Sequence, residues 1–349
     1  MNVYLSDKIR VISFLSIILV LYIHSNFHDY PNEIQGMAFN FTLQKAISEM
    51  IGRCAVPMFF VISGYLYFHN IQSRDALLRK MRKRCRTLVV PYLIACLFPA
   101  LFALAMETMP WTKAFINGTG FSENFSKSWY SLLYMLYIDA GNGSPYAFHL
   151  WFLRDLIVIV ALTPLLLLMK KKLGLMMSII VLFVLNYIGM PHNPTYGLFW
   201  FGFGAWFIPK MSDYPPRLTF VNILAFIGLC IFEMVFPSPI WKYLQIPIII
   251  LGMASMWMLY DIVLAKNFSL KSHRMLSVVC GFTFFIYLYH EPTLNVVRKL
   301  LVLPLGHNSL GFALSYLFSP WIYAIMAIAV GKCFKKLLPK VYGLMMGGR

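Results

Sequence analysis

Histidines come first among the side chains of this chain that could do chemistry. His24 follows a largely apolar run that starts near Val11, and Ser25 and Asn26 come directly after it. His149 and His290 also stand at the ends of apolar runs. An imidazole with a pKa of about 6.5 can take up a proton near neutral pH. Each histidine is therefore a candidate general base, and each could instead be a hydrogen-bonding anchor.

Charged side chains also stand within or beside the apolar runs. Arg53 begins one run, Arg154 and Asp155 lie near the start of another, and Glu291 closes a third. An ionisable side chain in lipid is costly, which makes it a candidate functional residue by default. Arg154 and Asp155 could equally form a structural pair that bridges two helices.

A basic run, RDALLRKMRKRCR at residues 74–86, is the third candidate feature. On a helix, Arg79, Arg82 and Arg86 share one face. Arginine forks bind phosphate oxygens bidentately, so this face suits a phosphorylated ligand. Membrane topology and attraction to anionic lipid would also explain a basic loop.

The composition indicates that these residues are positioned by a membrane protein. The chain has 349 residues, of which 60% are hydrophobic and 12% are charged, whereas a soluble domain carries about 25% charged residues. This argues against a soluble enzyme and a disordered chain. The net charge of +17 then reflects topology, and no nucleic-acid partner is predicted. The spacing of the six cysteines predicts neither a disulfide framework nor a metal site.

The predicted fold class is all-α: a polytopic membrane protein with about ten transmembrane helices in a single integral-membrane domain over residues 1–349. A crossing needs about 20 mostly apolar residues. Lysines and arginines are about threefold more frequent in one set of alternate loops, which predicts that both termini are inside. The short aromatic segment 126–140 is predicted to lie at the outer interface. The ten predicted spans are 11–27, 53–70, 88–106, 147–169, 174–190, 195–209, 218–236, 242–262, 276–292 and 311–333.

This topology places the histidines toward the outer side of the membrane and the basic run inside. Arg10 and His24 lie on one predicted helix, separated by roughly 21 Å of helix rise. A molecule that touches both regions is long and thin. Acyl-coenzyme A, with a charged nucleotide and a pantetheine arm, has this shape.

Five segments of the chain resemble, in the same order, a known family. They are DKIRVISFLSIILVLYIHS (7–25), RCAVPMFFVISGYLY (53–67), RKMRKRCRTLVVPYL (79–93), HLWFLRDLIV (149–158) and FTFFIYLYHEP (282–292). The chain resembles the acyltransferase 3 membrane proteins, which transfer acyl groups, commonly acetyl, to extracytoplasmic glycans. The resemblance covers nearly the whole chain. It implies that His24 is the catalytic histidine and that the basic run contacts the phosphates of an acyl-coenzyme A.

One position departs from the family pattern. The family usually has an arginine eleven positions before the histidine, where this chain has Ser13. Arg10 stands about one helical turn lower on nearly the same face. Arg10 is therefore the candidate for this role in the present chain.

The sequence thus predicts a multi-pass O-acyltransferase of the bacterial cytoplasmic (inner) membrane. It would move an acyl group, acetyl rather than the alternative succinyl, from cytosolic acetyl-CoA to a hydroxyl of an envelope glycan or glycolipid. His24 would act as general base, or would carry the acyl group as an acyl-histidine. A flippase or exporter of a lipid-linked glycan is the alternative, and homo-oligomers are possible. The predicted catalytic residues are His24, Arg53 and His149; the predicted donor-binding residues are Arg10, Arg79, Arg82, Lys83 and Arg86; and the predicted substrate-pocket residues are Ser63, Trp151, Asp155, His290 and Glu291.

Overall fold

The computed structural model describes residues 3–27, 38–69, 71, 73–109, 112, 121–168, 194–211, 216–264 and 269–348. Every regular element within these residues is helical, which confirms the all-α prediction. The predicted span 174–190 lies outside the described residues. Four of the described helical stretches are long and apolar enough to cross a membrane: Ala38–Phe68, Asp75–Thr108, Tyr243–Val263 and Ser309–Leu337. The count of ten spans and the inside location of both termini stay predictions.

The α-helices are numbered here in chain order within the described residues. A π-helix at Lys45–Ile51 and a 3-10 turn at Gly52–Cys54 join the second helix to the third. The helices are α1 (Val3–His24), α2 (Ala38–Gln44), α3 (Ala55–Phe68), α4 (Arg74–Thr108), α5 (Trp129–Tyr137), α6 (Trp151–Leu168), α7 (Pro194–Met211), α8 (Pro216–Val235), α9 (Trp241–Val263), α10 (Arg274–Gly281), α11 (Thr283–Tyr289), α12 (Thr293–Leu305), α13 (Ser309–Leu337) and α14 (Pro339–Met345).

Helix α1 runs through the middle of the bundle. It contacts α3 and α9 on one side and α10, α11, α12 and α13 on others. Ile12, Ile17 and Leu21 are fully buried, as expected for a helix that is apolar all round. Near its start, Lys8 Nζ forms an ion pair with Asp261 at 2.6 Å. The packing and this ion pair fix α1, and His24 is its last residue.

Helix α4 is continuous from the basic run into the apolar segment that follows it. Ser73 caps its start, because the side-chain oxygen accepts the N–H of Ala76 at 3.1 Å. Residues 74–86 are therefore the first turns of this helix and not a separate loop. The orientation of each basic side chain is set by the helix.

Two glycines bring α3 and α7 into backbone contact. A Cβ on Gly64 would lie 1.8 Å from the carbonyl oxygen of Phe201, and one on Gly204 would lie 2.0 Å from that of Val61. No side chain fits at either position. Small residues allow this close approach between helices in membrane proteins, and here they fix the helix that carries Ser63.

The structure differs from the predicted spans at two places. The predicted span 276–292 is two short helices, α10 and α11, which meet at Phe282. Helix α12 was not predicted, because its sequence contains charged residues between the apolar ones. Within the predicted interfacial segment 126–140, α5 has nine residues, or about 14 Å of helix, which is too short to cross a bilayer.

Candidate active site

His24 lines a cavity of about 560 Å³, named here the outer cavity. Its walls come from α1, the π-helix and 3-10 turn before α3, the start of α3, and the loop before α6 with the beginning of α6, with further residues from α7, α8 and α9. The polar or aromatic lining residues are His24, Glu49, Arg53, Asn142, Ser144, Phe148, Trp151, Tyr196, Glu233 and Gln245. Two predicted site residues, Arg53 and Trp151, therefore share a cavity with His24.

The turn after α1 holds His24 in place. The N–H of Ser25 donates to the carbonyl of Leu21 at 2.8 Å, which continues the helical pattern. Two residues later, the N–H of Phe27 donates to Gln44 Oε1 at 2.9 Å. The imidazole is half-buried, with its ring centre 5.4 Å from that of Phe148. One side of His24 is thus packed and another lines the cavity.

His149 and His290 lie behind His24. The ring centres of His24 and His290 are 5.1 Å apart, and those of His290 and His149 are 4.6 Å apart. His149 Nε2 donates to the carbonyl of Leu288 at 3.2 Å, and His290 Nδ1 donates to that of Tyr287 at 2.7 Å. Because a carbonyl only accepts, these bonds leave the other nitrogen of each neutral ring as an acceptor.

Arg53 forms an ion pair that was not predicted. Its Nη2 lies 2.8 Å from Glu233 Oε2, and both side chains are 12% exposed. Its Nε donates to the carbonyls of Glu49 at 2.7 Å and Met50 at 3.1 Å. Among the described residues, no bond is formed by Nη1. One face of the guanidinium is held and another is available to a substrate.

Arg154 and Asp155 form the structural pair that the sequence left open. Arg154 Nη2 lies 2.9 Å from Asp155 Oδ1, and Asp155 is fully buried. Arg154 Nη1 donates to the carbonyls of Ile138 at 2.8 Å and Gly143 at 2.9 Å. Asp155 orients an arginine that holds the loop before α6, and its role in the substrate pocket stays a prediction.

The same loop is also fixed from within. Asp139 Oδ1 accepts the N–H groups of Gly141, Asn142 and Gly143 at 2.8, 3.1 and 2.8 Å. These bonds, that of Gly141 most of all, hold the pKa of the Asp139 carboxyl below its usual value. Asn142 and Ser144 of this loop line the outer cavity, so the loop forms one of its walls.

A second cavity of about 480 Å³, named here the inner cavity, lies nearer the start of α1. It is walled by α1, α3, α4, α6, α10 and α11, and it contains the predicted residues Arg10 and Ser63. Arg10 Nη2 donates to the carbonyl of Ser277 at 3.3 Å. Arg84 of α4 is the other charged residue among the described lining residues.

Arg84 is the residue of the basic run that lines the inner cavity, and the residues of the predicted face do not line it. Arg79, Arg82, Lys83 and Arg86 are exposed. Arg84 lies on the face that continues to Leu88, which lines the same cavity. The sequence carries a signal that Arg84 lies on the inward face of α4, because it recurs with Leu77, Met81 and Leu88 at helical spacing. Leu77 and Leu88 are buried in the structure.

Aromatic side chains separate the two cavities, which share no described lining residue. We call Phe59, Phe60, Trp151 and Phe152 the aromatic partition. Phe152 packs 4.5 Å from Phe60 and 5.8 Å from Phe59, measured between ring centres. Trp151 lines the outer cavity and its neighbour Phe152 lines the inner one.

The remaining predicted residues lie near these cavities without lining them. His149 and His290 are buried beside His24, and Glu291, which is also buried, directly follows His290 in the chain. The unpredicted lining residues include Glu49, Asn142, Ser144, Glu233 and Gln245 in the outer cavity and Arg84 in the inner one. Within the described part of the chain, no group of three or more His, Cys, Asp or Glu side chains is arranged to hold a metal ion.

Comparisons with known proteins identify the family of the chain. A family model described as an acyltransferase domain matches residues 7–331. The chain is also similar to the succinoglycan biosynthesis protein ExoH of Rhizobium meliloti (strain 1021), with 23% identity over 373 residues that cover 100% of this chain and 94% of the relative. No solved structure matches the chain. Because the family model spans nearly the whole sequence, the chain belongs to the acyltransferase 3 family.

Proposed function

We propose that this protein transfers an acetyl group from cytosolic acetyl-CoA to a hydroxyl of an envelope glycan, in the cytoplasmic membrane of a bacterium. The observation that carries the proposal is the pair of cavities along α1, α3 and α6. One contains two arginines and the other contains His24. A single long substrate that enters at the arginines and reacts at the histidine accounts for both.

Arg10 and Arg84 suit the phosphates of the donor. They are the charged residues of the inner cavity within the described chain, so an anion there meets only positive side chains. Hydrogen bonds between arginine and phosphate are charge-assisted and often bidentate. The fourteen residues from Arg10 to His24 correspond to about 21 Å of helix. The acyl-pantetheine arm would cover this distance after the side chains of the aromatic partition rotate.

His24 suits the role of general base. The acceptor hydroxyl oxygen attacks the thioester carbonyl carbon, so that a C–O bond forms and the C–S bond breaks. The hydroxyl proton passes to His24 and then to the leaving sulfur, and coenzyme A departs as a thiol. General bases of this kind contribute about 10²–10⁴ to rate. The packing of His24 against Phe148 and His290 limits its orientations.

Arg53 suits the stabilisation of the oxyanion that forms on the thioester carbonyl. Its Nε and Nη2 are held by the carbonyls of Glu49 and Met50 and by Glu233. Nη1 is then the donor that can point at developing charge. Preorganised donors are effective because they need not reorient during the reaction.

A glycan acceptor is supported by the lining of the outer cavity and by the relative. Asn142, Ser144 and Gln245 are uncharged polar groups that can bind sugar hydroxyls. The similar protein of Rhizobium meliloti is named for succinoglycan biosynthesis. A glycan exporter is the alternative. That function does not account for a cavity with two arginines on one side.

The test is thiol release by the purified protein in nanodiscs. Acetyl-CoA is supplied with and without an envelope-glycan extract, and the glycan is examined for new acetyl esters. We expect release that depends on the glycan and equals the esters formed. Binding of neither acetyl-CoA nor coenzyme A, together with no release, would refute the proposal and favour the exporter.

A further inference from the structure

The Arg53–Glu233 ion pair has a consequence for the acyl group that the site accepts. We propose that Glu233 makes the outer cavity selective for uncharged acyl groups and excludes acyl groups that end in a carboxylate, such as succinyl. This inference rests on the proposed function, because it concerns the same donor and the same cavity. The selectivity-determining residue it names is Glu233.

The position of the acyl group follows from the chemistry. Its carbonyl carbon must lie near His24, and both His24 and Arg53 line the outer cavity. An acyl group of a few carbons therefore lies in that cavity throughout the reaction. Any charge on its far end must be accommodated by the same lining residues.

The charged lining residues give a carboxylate no cation that lacks a carboxylate partner of its own. Within the described chain they are Arg53, Glu49 and Glu233, one positive and two negative. The guanidinium of Arg53 is already paired with Glu233 at 2.8 Å. A succinyl carboxylate would compete with Glu233 for Arg53 and would leave one carboxylate facing the other. Like charges placed together in a binding site are strongly unfavourable.

Arg298 is close enough to act electrostatically on His24, but it does not line the outer cavity. It is 3% exposed, and its guanidinium carbon lies 5.1 Å from the centre of the Phe27 ring. Its Nε donates to Asn295 Oδ1 at 3.1 Å. It is absent from the described lining of the outer cavity. An acetyl group needs no cation, and Val56, Pro57 and Ile249 offer apolar surface for its methyl.

The test compares two donors in each of three proteins. Acetyl-CoA and succinyl-CoA are supplied separately to wild type, Glu233→Gln and Glu49→Gln in nanodiscs with the same glycan extract, and the ratio of their kcat/KM values is measured. Because the ratio is taken within one protein, loss of folded enzyme cancels. Glu49→Gln is the matched control, since it removes the same charge from the same cavity and leaves the Arg53–Glu233 pair in place.

We expect wild type to prefer acetyl-CoA by about tenfold or more, since a like-charge contact in a binding site is unfavourable. Glu233→Gln should raise the succinyl-to-acetyl ratio of kcat/KM values by roughly tenfold, whereas Glu49→Gln should raise it by less than about threefold. The larger effect of Glu233→Gln is expected because it frees Arg53 to pair with the succinyl carboxylate. If Glu233→Gln is inactive, the dissociation constants of the two donors give the same ratio without turnover.

Three results would overturn the inference while the proposed function stands: wild type that uses both donors equally, an unchanged ratio in Glu233→Gln, or an equal change in Glu49→Gln. The absence of thiol release from wild type with either donor would overturn the proposed function, and this inference with it.

Discussion

The outer and inner cavities share three walls and differ in chemistry. Both are lined by α1, α3 and α6, and their volumes are similar, about 560 and 480 Å³. The described charged residues of the inner cavity are two arginines, whereas the outer cavity combines a histidine with an arginine and two glutamates. One scaffold can thus hold an anion at one end and transfer protons at the other. The residue types, and not the shape, distinguish the two ends.

Removal of His24 should have the largest effect, because it should abolish proton transfer in the outer cavity and leave donor binding in the inner cavity intact. We expect His24→Ala to lower kcat by about 10²–10⁴, because the general base is lost. Binding of acetyl-CoA, measured by calorimetry, should change little, since the arginines remain. His307→Ala, at an exposed position between α12 and α13, is the control. Substantial acyl transfer by His24→Ala would contradict the assignment.

Arg84 should affect the inner cavity alone. Loss of a charge-assisted hydrogen bond costs about 1.5–3 kcal/mol, so Arg84→Ala should raise the KM for acetyl-CoA by roughly 10- to 100-fold, with a smaller change in kcat. Arg86→Ala, on the exposed face of the same helix, is the matched control. An equal rise in KM for Arg86→Ala would support donor binding by the face that the sequence predicts.

Arg154 should have a smaller effect that is confined to the outer cavity. Arg154→Ala removes the hydrogen bonds to the carbonyls of Ile138 and Gly143 and leaves buried Asp155 without its guanidinium. We expect a lower unfolding temperature and a KM for the glycan raised about tenfold or less. The double variant Arg154→Ala, Asp155→Asn should recover part of the stability. A raised KM for acetyl-CoA instead would place the loop near the donor.

The sidedness of the cavities can be tested without a change in activity. Cys85, in the basic run, and Cys333, near the end of α13, are exposed. If the termini are inside, a membrane-impermeant maleimide should label both in inverted vesicles and neither in spheroplasts. A cysteine introduced at exposed Ser126 should show the opposite pattern. Labelling of Cys85 from the outside would invert the orientation and exclude a cytosolic donor at Arg84.

The sequence was sufficient to predict features that depend on one segment alone, such as where an apolar helix lies. The sequence placed His24 near the end of the predicted span 11–27, and the structure ends α1 at His24 itself. Composition alone predicted a helical membrane protein. Glu233 could have been found by the same reasoning, because it is the only charged residue in the predicted span 218–236. An ionisable residue in such a run is a candidate functional residue.

Contacts between separate segments could not be predicted from the sequence. His149 and His290 lie close to His24 because the residues directly before α6 and directly after α11 meet at the end of α1, and one sequence does not give helix adjacency. The same limit applies to Arg84: the pattern of Leu77, Met81 and Leu88 shows which face of α4 is buried, but not that a cavity lies beside it. The Arg53–Glu233 pair joins residues 180 positions apart.

The aromatic partition also bears on the electrical state of the membrane. A protein with one water-accessible cavity toward each face would conduct protons if the cavities joined, and a charge that crosses a potential of 100 mV releases about 2.3 kcal/mol. Phe59, Phe60, Trp151 and Phe152 place apolar rings where a continuous water chain would otherwise run. Under the proposed function, the layer that the donor arm displaces would therefore also insulate the membrane, and the arm itself would fill the gap while it is open.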